Sequence, residues 1–466
     1  MKWLKITGLV VLISIIIGIV ALITLPYRMT REIDSRIAVI KAQGDPVNGK
    51  DLIPHVPDSK NGAVIYEKVF KITEPGKDEI GKVSKMISSL DGAHDPGALA
   101  SARRITSKYR SVIPIIEQAS SRPQCRFKSN WSDPVEERLQ PYLDKVRNVS
   151  QLLSVIAIVD AADGKMDDSV RTVGLSYKLS ESLNDEPMLI GSVTRYKCIS
   201  AASRSLKQSM QYGNISERQA HGLFDLLSKI DIRNSYRDAM KDERAFSLDL
   251  TERIRKNGFE RKNGRFFVRE TPDSRRRNPL QIWLTNSWLG ADELFYLKQT
   301  ELAFADANQP VHNWHSLRTK LDPKFPRYAL LSTILLPVFS KAKLSHYESM
   351  TTLAGDRVFL AGHAYKSEFG SYPANLDDVE KKLGWKLPVD PMTGDRFRYR
   401  RHEKGFVLYG LGRNLKDDNA QTVEDLPESI RNVGPSDNRN TQFRDKYPYS
   451  TGTGRHSADM IWGKSR

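Results

Sequence analysis

From Ile6 to Leu25 the chain runs twenty residues, ITGLVVLISIIIGIVALITL, without a charge, with Lys2 and Lys5 before them and Arg28 and Arg31 after. A bilayer core about 30 Å thick takes about twenty helical residues to cross, so this run is long enough to span it. A buried core helix so uniformly aliphatic at an extreme terminus is not expected. A cleaved signal peptide has a shorter apolar region and a small-x-small cleavage site, whereas this run closes on Leu25-Pro26-Tyr27-Arg28. The sequence therefore predicts an uncleaved single-span anchor over residues 1–27. Lys2 and Lys5 face Arg28, Arg31, Arg36 and Lys41 across it, so the positive-inside rule does not set the orientation. The short leader is the usual start of a signal-anchor, which places the bulk of the chain outside the cytoplasm. The next most apolar run, Tyr328–Phe339, is twelve residues long and contains Pro337.

Beyond the anchor the composition is ordinary for a globular protein. Of 466 residues 39% are hydrophobic and 27% charged, which excludes wholesale disorder, collagen and a polytopic membrane protein. At roughly 150 residues per domain the length suggests two or three units. Lys and Arg number 72 against 56 Asp and Glu, a net charge of +16. Aromatic residues are not interleaved with the basic run at 253–277, so no nucleic acid is expected. For a basic surface outside a membrane the expected counterparts are anionic headgroups or acidic wall polymers, beside the bland reading of a solvated face. Two cysteines, Cys125 and Cys198, exclude a disulfide scaffold. They pair in an oxidising compartment or stay buried free thiols.

Punctuation along the chain gives the organisation. Residues 28–44 read as a charged helix, followed by a breaker-rich linker or extended wrap, GDPVNGKDLIPHVPDSKNG. From 63 to 257 the pattern is helical: Leu143, Val146, Ser150, Leu153 and Ala157 form one helix stripe, Asp163-Gly164-Lys165 breaks it, and Asn184 to Pro187 stops the next helix. A helix from Met188 to Tyr212 follows, and Ser216 with Gln219 forms a capping box for its successor. Asn263-Gly264 ahead of RFFV reads as a hairpin turn. A last long helix runs from 327 to Phe369 with Pro337 as a kink or break, then FRYRR and GFVLYG alternate as strands. The expected fold is mainly α: an N-terminal transmembrane helix, an α-helical bundle or solenoid-like middle, and a small α+β C-terminal module. The expected units are the anchor at 1–27, a juxtamembrane helix and linker at 28–62, an α-helical domain at 63–257 and an irregular basic region at 258–326. A long helix with a small sheet at 327–420 and a loop-rich, partly disordered tail at 421–466 complete the chain. Paired helices between 141 and 213 give the middle a tetratricopeptide-like shape without a strict repeat.

The block from Glu368 to Ala420 resembles the C-terminal domain of the major pseudopilin of type II secretion. The resemblance rests on Gly370-x-Tyr372-Pro373, Leu376, Leu387-Pro388-x-Asp390-Pro391, Gly394, Tyr399, Tyr409, Gly412 and Asp417-Asp418, with Asp459-x-Ile461-Trp462 near the end. It covers about a fifth of the chain and implies a helix leading into a small antiparallel sheet. In that family loop carboxylates hold calcium, which implies Asp417, Asp418 and Asp459 as ligands here. The apolar run lies far upstream of this module and contains no Glu, so a pilus subunit is not expected. The chain as a whole resembles membrane-anchored proteins of planctomycete-type bacteria that join Gly44-Asp45-Pro46-Val47 to Asp51-Leu52, then Asn61, Ala63 and Tyr66, a helical middle and this module. That resemblance implies a bacterial cytoplasmic-membrane protein and an architecture, not an activity.

Chemistry-bearing motifs are few. There is no Gly-rich phosphate loop, HExxH, GxSxG or CxxC. Ser340-Lys341-Ala342-Lys343 with Ser436-Asp437-Asn438 has the outline of penicillin-recognising serine enzymes, but the third Lys-Thr-Gly strand is missing, and Ser340 and Lys343 are expected to be ordinary helix residues. His312 and His315 sit three residues apart with no Cys nearby. Asp160, Asp163, Asp167 and Asp168 cluster around one turn, where the last two complement a helix dipole. No catalytic and no cofactor-binding residue is predicted. The expectation is a non-catalytic envelope protein with an interaction or scaffolding role, associated with secretion. The alternative is an anchored hydrolase of cell-envelope material, built from the 257–325 region with His312 and His315.

Overall fold

The computed structural model describes residues 24, 26–52, 56–88, 95–128, 141–262, 265–268, 279–307, 309, 325–403, 405–412, 417, 419–420 and 460–463. The expected anchor at 1–27, apart from Thr24, Pro26 and Tyr27, lies outside these residues, as do His312, His315, Asp418 and Asp459. Among the described residues no helix is long and apolar enough to cross a membrane.

The chain is mainly helical, with a small three-stranded antiparallel sheet near its end. Helix α1 (26–42) turns Ile33, Ile37 and Ile40 onto Leu248, Leu294 and Leu297 of two later helices. The breaker-rich stretch after it is a wrap rather than a free linker. Asp51 accepts hydrogen bonds from the Val47 and Asn48 amides at 3.0 and 3.3 Å, and the tight turn Gly49–Leu52 drops Leu52 among Phe246, Ile254 and Leu289.

Helix α2 (Ala63–Thr73) starts at Asn61, whose carbonyl oxygen accepts from the Ala63 amide at 3.1 Å. The same side chain bonds both the N–H and the C=O of Arg126, at 2.8 and 2.9 Å, and so pins a distant extended segment beside the helix start. Tyr66, Phe70, Phe127 and Tyr142 then stack in one aromatic group. Helices α3 (Lys77–Ser88), α4 (Pro96–Tyr109) and α5 (Val112–Ser120) close this first core over α6 (Pro141–Ala162). The predicted stripe of α6 is buried, and Val149, Leu152, Val155 and Ile156 are buried as well. The helix is covered on nearly every side because α7 (Met166–Glu181) and α8 (Met188–Ser209) pack against it too.

The turn before α7 uses Gly164 at φ +76°, a left-handed conformation that costs glycine little. Helix α9 (Glu217–Lys229) carries the predicted Ser216–Gln219 capping box in full. Helix α10 (Ser235–Asn257) leads into strands β1 (Phe259–Lys262) and β2 (Arg265–Val268), which pair antiparallel with Lys262 opposite Arg265, the register expected of a hairpin.

The stretch 258–326, expected to be irregular, contains α11 (Pro279–Ala307), a helix of 29 residues. Its periodicity is blurred because several polar side chains point inward: Asp292, Glu293, Thr300 and Asp306 are buried while Leu284 and Leu302 are exposed. Asp292 accepts from the Leu331 and Ser332 amides, Glu293 pairs with Arg255 at 2.6 Å, and Asp306 pairs with Lys343. Pro337 is a break: α12 (Leu330–Leu335) stops before it and α13 (Pro337–Phe369) begins on it, ending at Gly370 with φ +75°.

Helix α14 (Leu376–Leu383), capped by Asn375, leads to strands β3 (Arg398–Arg401) and β4 (Phe406–Gly410). The strand β5 (Met460–Gly463) falls inside the expected loop-rich tail and completes the sheet in the order β3-β4-β5. Every residue of β4 is buried, with Phe406 and Leu408 in the core shared by α7, α8, α9 and α13.

Trp462 of β5 lies so close to α13 that a Cβ on Gly355 would fall 2.2 Å from its ring, whereas a Cβ on Gly362 would meet Phe406 at an ordinary 3.4 Å. Gly355→Ala should therefore lower stability in chemical denaturation by ~1–3 kcal/mol. Gly362→Ala should leave it unchanged or slightly raised, because alanine is the better helix former.

Candidate functional site

The C-terminal module is positioned by one buried carboxylate. Asp390 opens the Asp-Pro-Met-Thr-Gly turn and accepts from the Met392 amide at 2.9 Å, the Leu411 amide at 3.1 Å and the Thr351 hydroxyl at 3.3 Å. It thereby ties the turn to β4 and α13, and burial pushes its carboxyl above the usual range. Tyr399 donates to the Pro373 carbonyl at 2.8 Å, and Tyr372 packs on Phe406. The motif residues on which the resemblance rests are thus packing and turn residues.

Of the three carboxylates implied as calcium ligands, Asp417 is described. Its oxygens accept from Arg398 at 2.7 Å, from Tyr409 at 3.1 Å and from the Asn419 amide at 2.9 Å, and these donors hold its carboxyl below the usual range against the opposing effect of desolvation. Calcium asks for six or more free oxygens. A carboxylate already paired with a guanidinium does not fit that requirement, and among the described residues no group of three His, Cys, Asp or Glu side chains is placed to hold a metal ion.

The strongest polar cluster is buried and structural. Asp356 of α13 accepts from Tyr177 of α7, Ser203 of α8 and Trp462 of β5, each at 2.7 Å, and burial pushes its carboxyl up. A second carboxyl, Glu186, is held by the Tyr142 hydroxyl, and burial pushes it up to about 7. A third pair lies on α10: Glu243 accepts from the Leu189 amide at 3.2 Å, and burial raises Glu243 to about 7 and Asp242 to about 6. These two carboxyls close the start of α8, where Met188 takes φ +71°. Sequence reasoning passed over Asp356, Glu186 and Glu243. For Asp356 the local hint was an acidic residue inside an apolar helical stretch; Glu186 lies in the turn before α8 and Glu243 among the charged Lys241, Asp242 and Arg244, where no such hint exists.

The other motifs resolve into structure. Lys343 is buried and ion-paired with Asp306, donating also to its backbone carbonyl at 3.0 Å. Cys125 and Cys198 are free thiols rather than a disulfide. Cys198 is packed in the first core, and burial pushes it up to about 12, while burial and Glu186 push Cys125 higher still. Asp160 is buried against Arg110, Asp163 pairs with Arg103 at 2.7 Å, and Asp167 and Asp168 lie in the first turn of α7.

An open cleft of about 510 Å³ lies between α5, α7 and α9. Val170, Leu175, Leu223 and Leu226 line it, with Gly174 and Gly222 widening it where the helices face each other. Arg171, Lys178 and Arg218 surround it against a single acid, Glu117, which pairs with Arg171 at 3.2 Å. Its hydroxyls, Ser120 and Ser121, donate to the Glu117 and Gln118 carbonyls of their own helix. The cleft offers an apolar floor and a cationic rim, an arrangement suited to holding an acidic surface. Compared with protein-family models, with curated proteins and with solved structures, the chain matches none.

Two outcomes are expected. The native Glu243 carboxyl titrates near 7 against an ordinary 4.5, so its stabilising contribution is complete below 4.5 and is lost as pH rises through about 7. Glu243→Gln should match the wild type well below pH 4.5 and exceed it well above pH 7, by ~1–3 kcal/mol in denaturant melts. His346 and His363, which burial lowers to about 3, lose stability in the opposite direction and cancel in this comparison. In the second, calcium at about 1 mM, the range of weak extracellular sites, should leave the thermal midpoint unchanged, since Asp417 is already bound to Arg398.

Proposed function

We propose that the chain is a single-span protein of the bacterial cytoplasmic membrane, with its bulk outside the cytoplasm and a non-catalytic interaction or scaffolding role in the envelope. The observation that carries this reading is the docking of α1. The helix that follows the apolar run Ile6–Leu25 is held by Ile33 and Ile40 and by ion pairs from Glu32 to Lys298 and Arg36 to Glu301. An anchor continued by such a helix carries a body of fixed attitude rather than one on a loose tether, which suits a scaffold.

Two further observations support the role. The buried carboxyls are engaged in holding helices together, and the cleft between α5, α7 and α9 has the cationic rim that an acidic envelope partner would meet. Association with secretion machinery is the finer part of the proposal. It rests on the pseudopilin-like resemblance of the module from α13 to β5, a long helix covered by a three-stranded antiparallel sheet.

Reporter fusions after Lys41 and at Arg466, combined with protease accessibility in spheroplasts, should both report an extracytoplasmic location. A cytoplasmic signal from either fusion would overturn the proposed topology.

A further inference from the structure

Contacts fix how α1 lies along the body. Ile33 sits against Gly290, where a Cβ would lie 4.0 Å from its terminal carbon; Arg36 pairs with Glu301; and beyond the helix Asp45 pairs with Arg244 at 2.7 Å, whose guanidinium covers Phe304 at 4.7 Å. Glu32 and Ile33 reach Lys298 and Gly290, Arg36 reaches Glu301, and Asp45 lies by Phe304 through Arg244, so the contacts move on average toward the end of α11 along α1 and the two helices run parallel. Helix α10 runs the other way, because Arg255 pairs with Glu293 while Arg244 reaches Phe304. Stepping back from Ile33 to Tyr27 covers about 9 Å at roughly 1.5 Å per residue. The same step back from Gly290 on α11 leads to Leu284, and onward from Arg255 on α10 leads to Gly258 and the β1–β2 hairpin. The end of α10, the hairpin and the first turns of α11 therefore share one end of the body with the point where the chain leaves toward Leu25.

That end has a distinct chemistry. Tyr27, Leu280 and Leu284 are 70%, 59% and 53% exposed, with Trp283 half-buried among them. Arg28, Arg31 and Lys256 are exposed beside them. Apolar and aromatic side chains mixed with Lys and Arg form the composition that settles at a lipid–water interface, the first entering the acyl boundary and the second meeting anionic headgroups.

We propose that this end of the body is a membrane-docking face for anionic lipid, seated on the leaflet from which the anchor emerges. The inference rests on the anchored reading above. It makes the attitude of the body depend on two attachments, the span and the face beside it, with the far end of α10 held away from the bilayer.

The test uses the full chain reconstituted in vesicles of phosphatidylcholine alone or with phosphatidylglycerol, each containing lipid that carries a fluorescence quencher. A fluorophore is placed at Ser14→Cys in the span, at Leu284→Cys or Leu280→Cys on the face, and at Lys229→Cys near the far end of α10, with the unsubstituted chain as background for Cys125 and Cys198. The expected result is quenching at position 14 in both lipids, several-fold stronger quenching at 284 and 280 with phosphatidylglycerol than without, and none at 229. Reversing Arg28, Arg31 and Lys256 to Glu should remove the phosphatidylglycerol effect at 284. Quenching at 14 with none at 284 and 280 overturns the docking face and leaves the anchor standing. Equal quenching at 284 in both lipids overturns the anionic-lipid assignment. No quenching at 14 overturns the anchored reading itself.

Discussion

Asp356 is fully buried in the middle of α13, and three separate elements reach it: Tyr177 from α7, Ser203 from α8 and Trp462 from β5. A buried carboxylate is tolerable only when its oxygens are satisfied, and removing one partner of a buried charge costs several kcal/mol. The three donors therefore have to arrive together. The helical middle, the long helix and the last strand form one body because each contributes part of the shell around a single acid. Lys207, lying over the Trp462 ring and donating to the Ile461 carbonyl at 3.3 Å, holds the same strand from the side of α8.

From that junction the rest of the molecule extends in two directions. Helix α8 packs on α6 and α7 on one side and on α10 and α13 on the other, so it carries both major cores. Its start is closed by Asp242 and Glu243 of α10, which couples the first core to the rail formed by α10, α11 and α1. Polar anchoring recurs along this rail: Arg255 with Glu293, Lys343 with Asp306, Lys241 and Arg244 with Asp45. Apolar packing gives these helices their adhesion, and the buried ion pairs select one register among many that leucine and isoleucine contacts alone would accept.

The same economy bears on function. Asp356, Glu186, Glu243, His346 and His363, whose titration burial displaces, are buried and face protein, while Asp242 and Cys125, also raised, are half-buried; the open cleft between α5, α7 and α9 holds arginine, lysine and leucine. Perturbed groups at a catalytic site stand where a substrate can reach them. Here they hold helices together: Asp356 joins α7, α8, α13 and β5, and Glu243 joins α10 to the start of α8.

Local structure was legible in the sequence because it rests on local rules. Gly164 and Gly370 fall where the backbone turns left-handed, Ser216 and Gln219 cap α9, Pro337 separates two helices, and Lys262 pairs with Arg265 as the hairpin reading requires. The helical class followed from periodicity over ten or more residues. What tertiary structure decided lies in pairings far apart in the chain. Tyr177 and Asp356 are separated by 179 residues, Trp462 and Asp356 by 106, and Arg244 and Asp45 by 199. Helix α11 was hidden for the same reason, since its inward Asp292, Glu293 and Asp306 read as surface residues until their partners Ser332, Arg255 and Lys343 are in place. A buried charge looks like an exposed one in a sequence, because the partner that makes burial affordable is supplied by the fold.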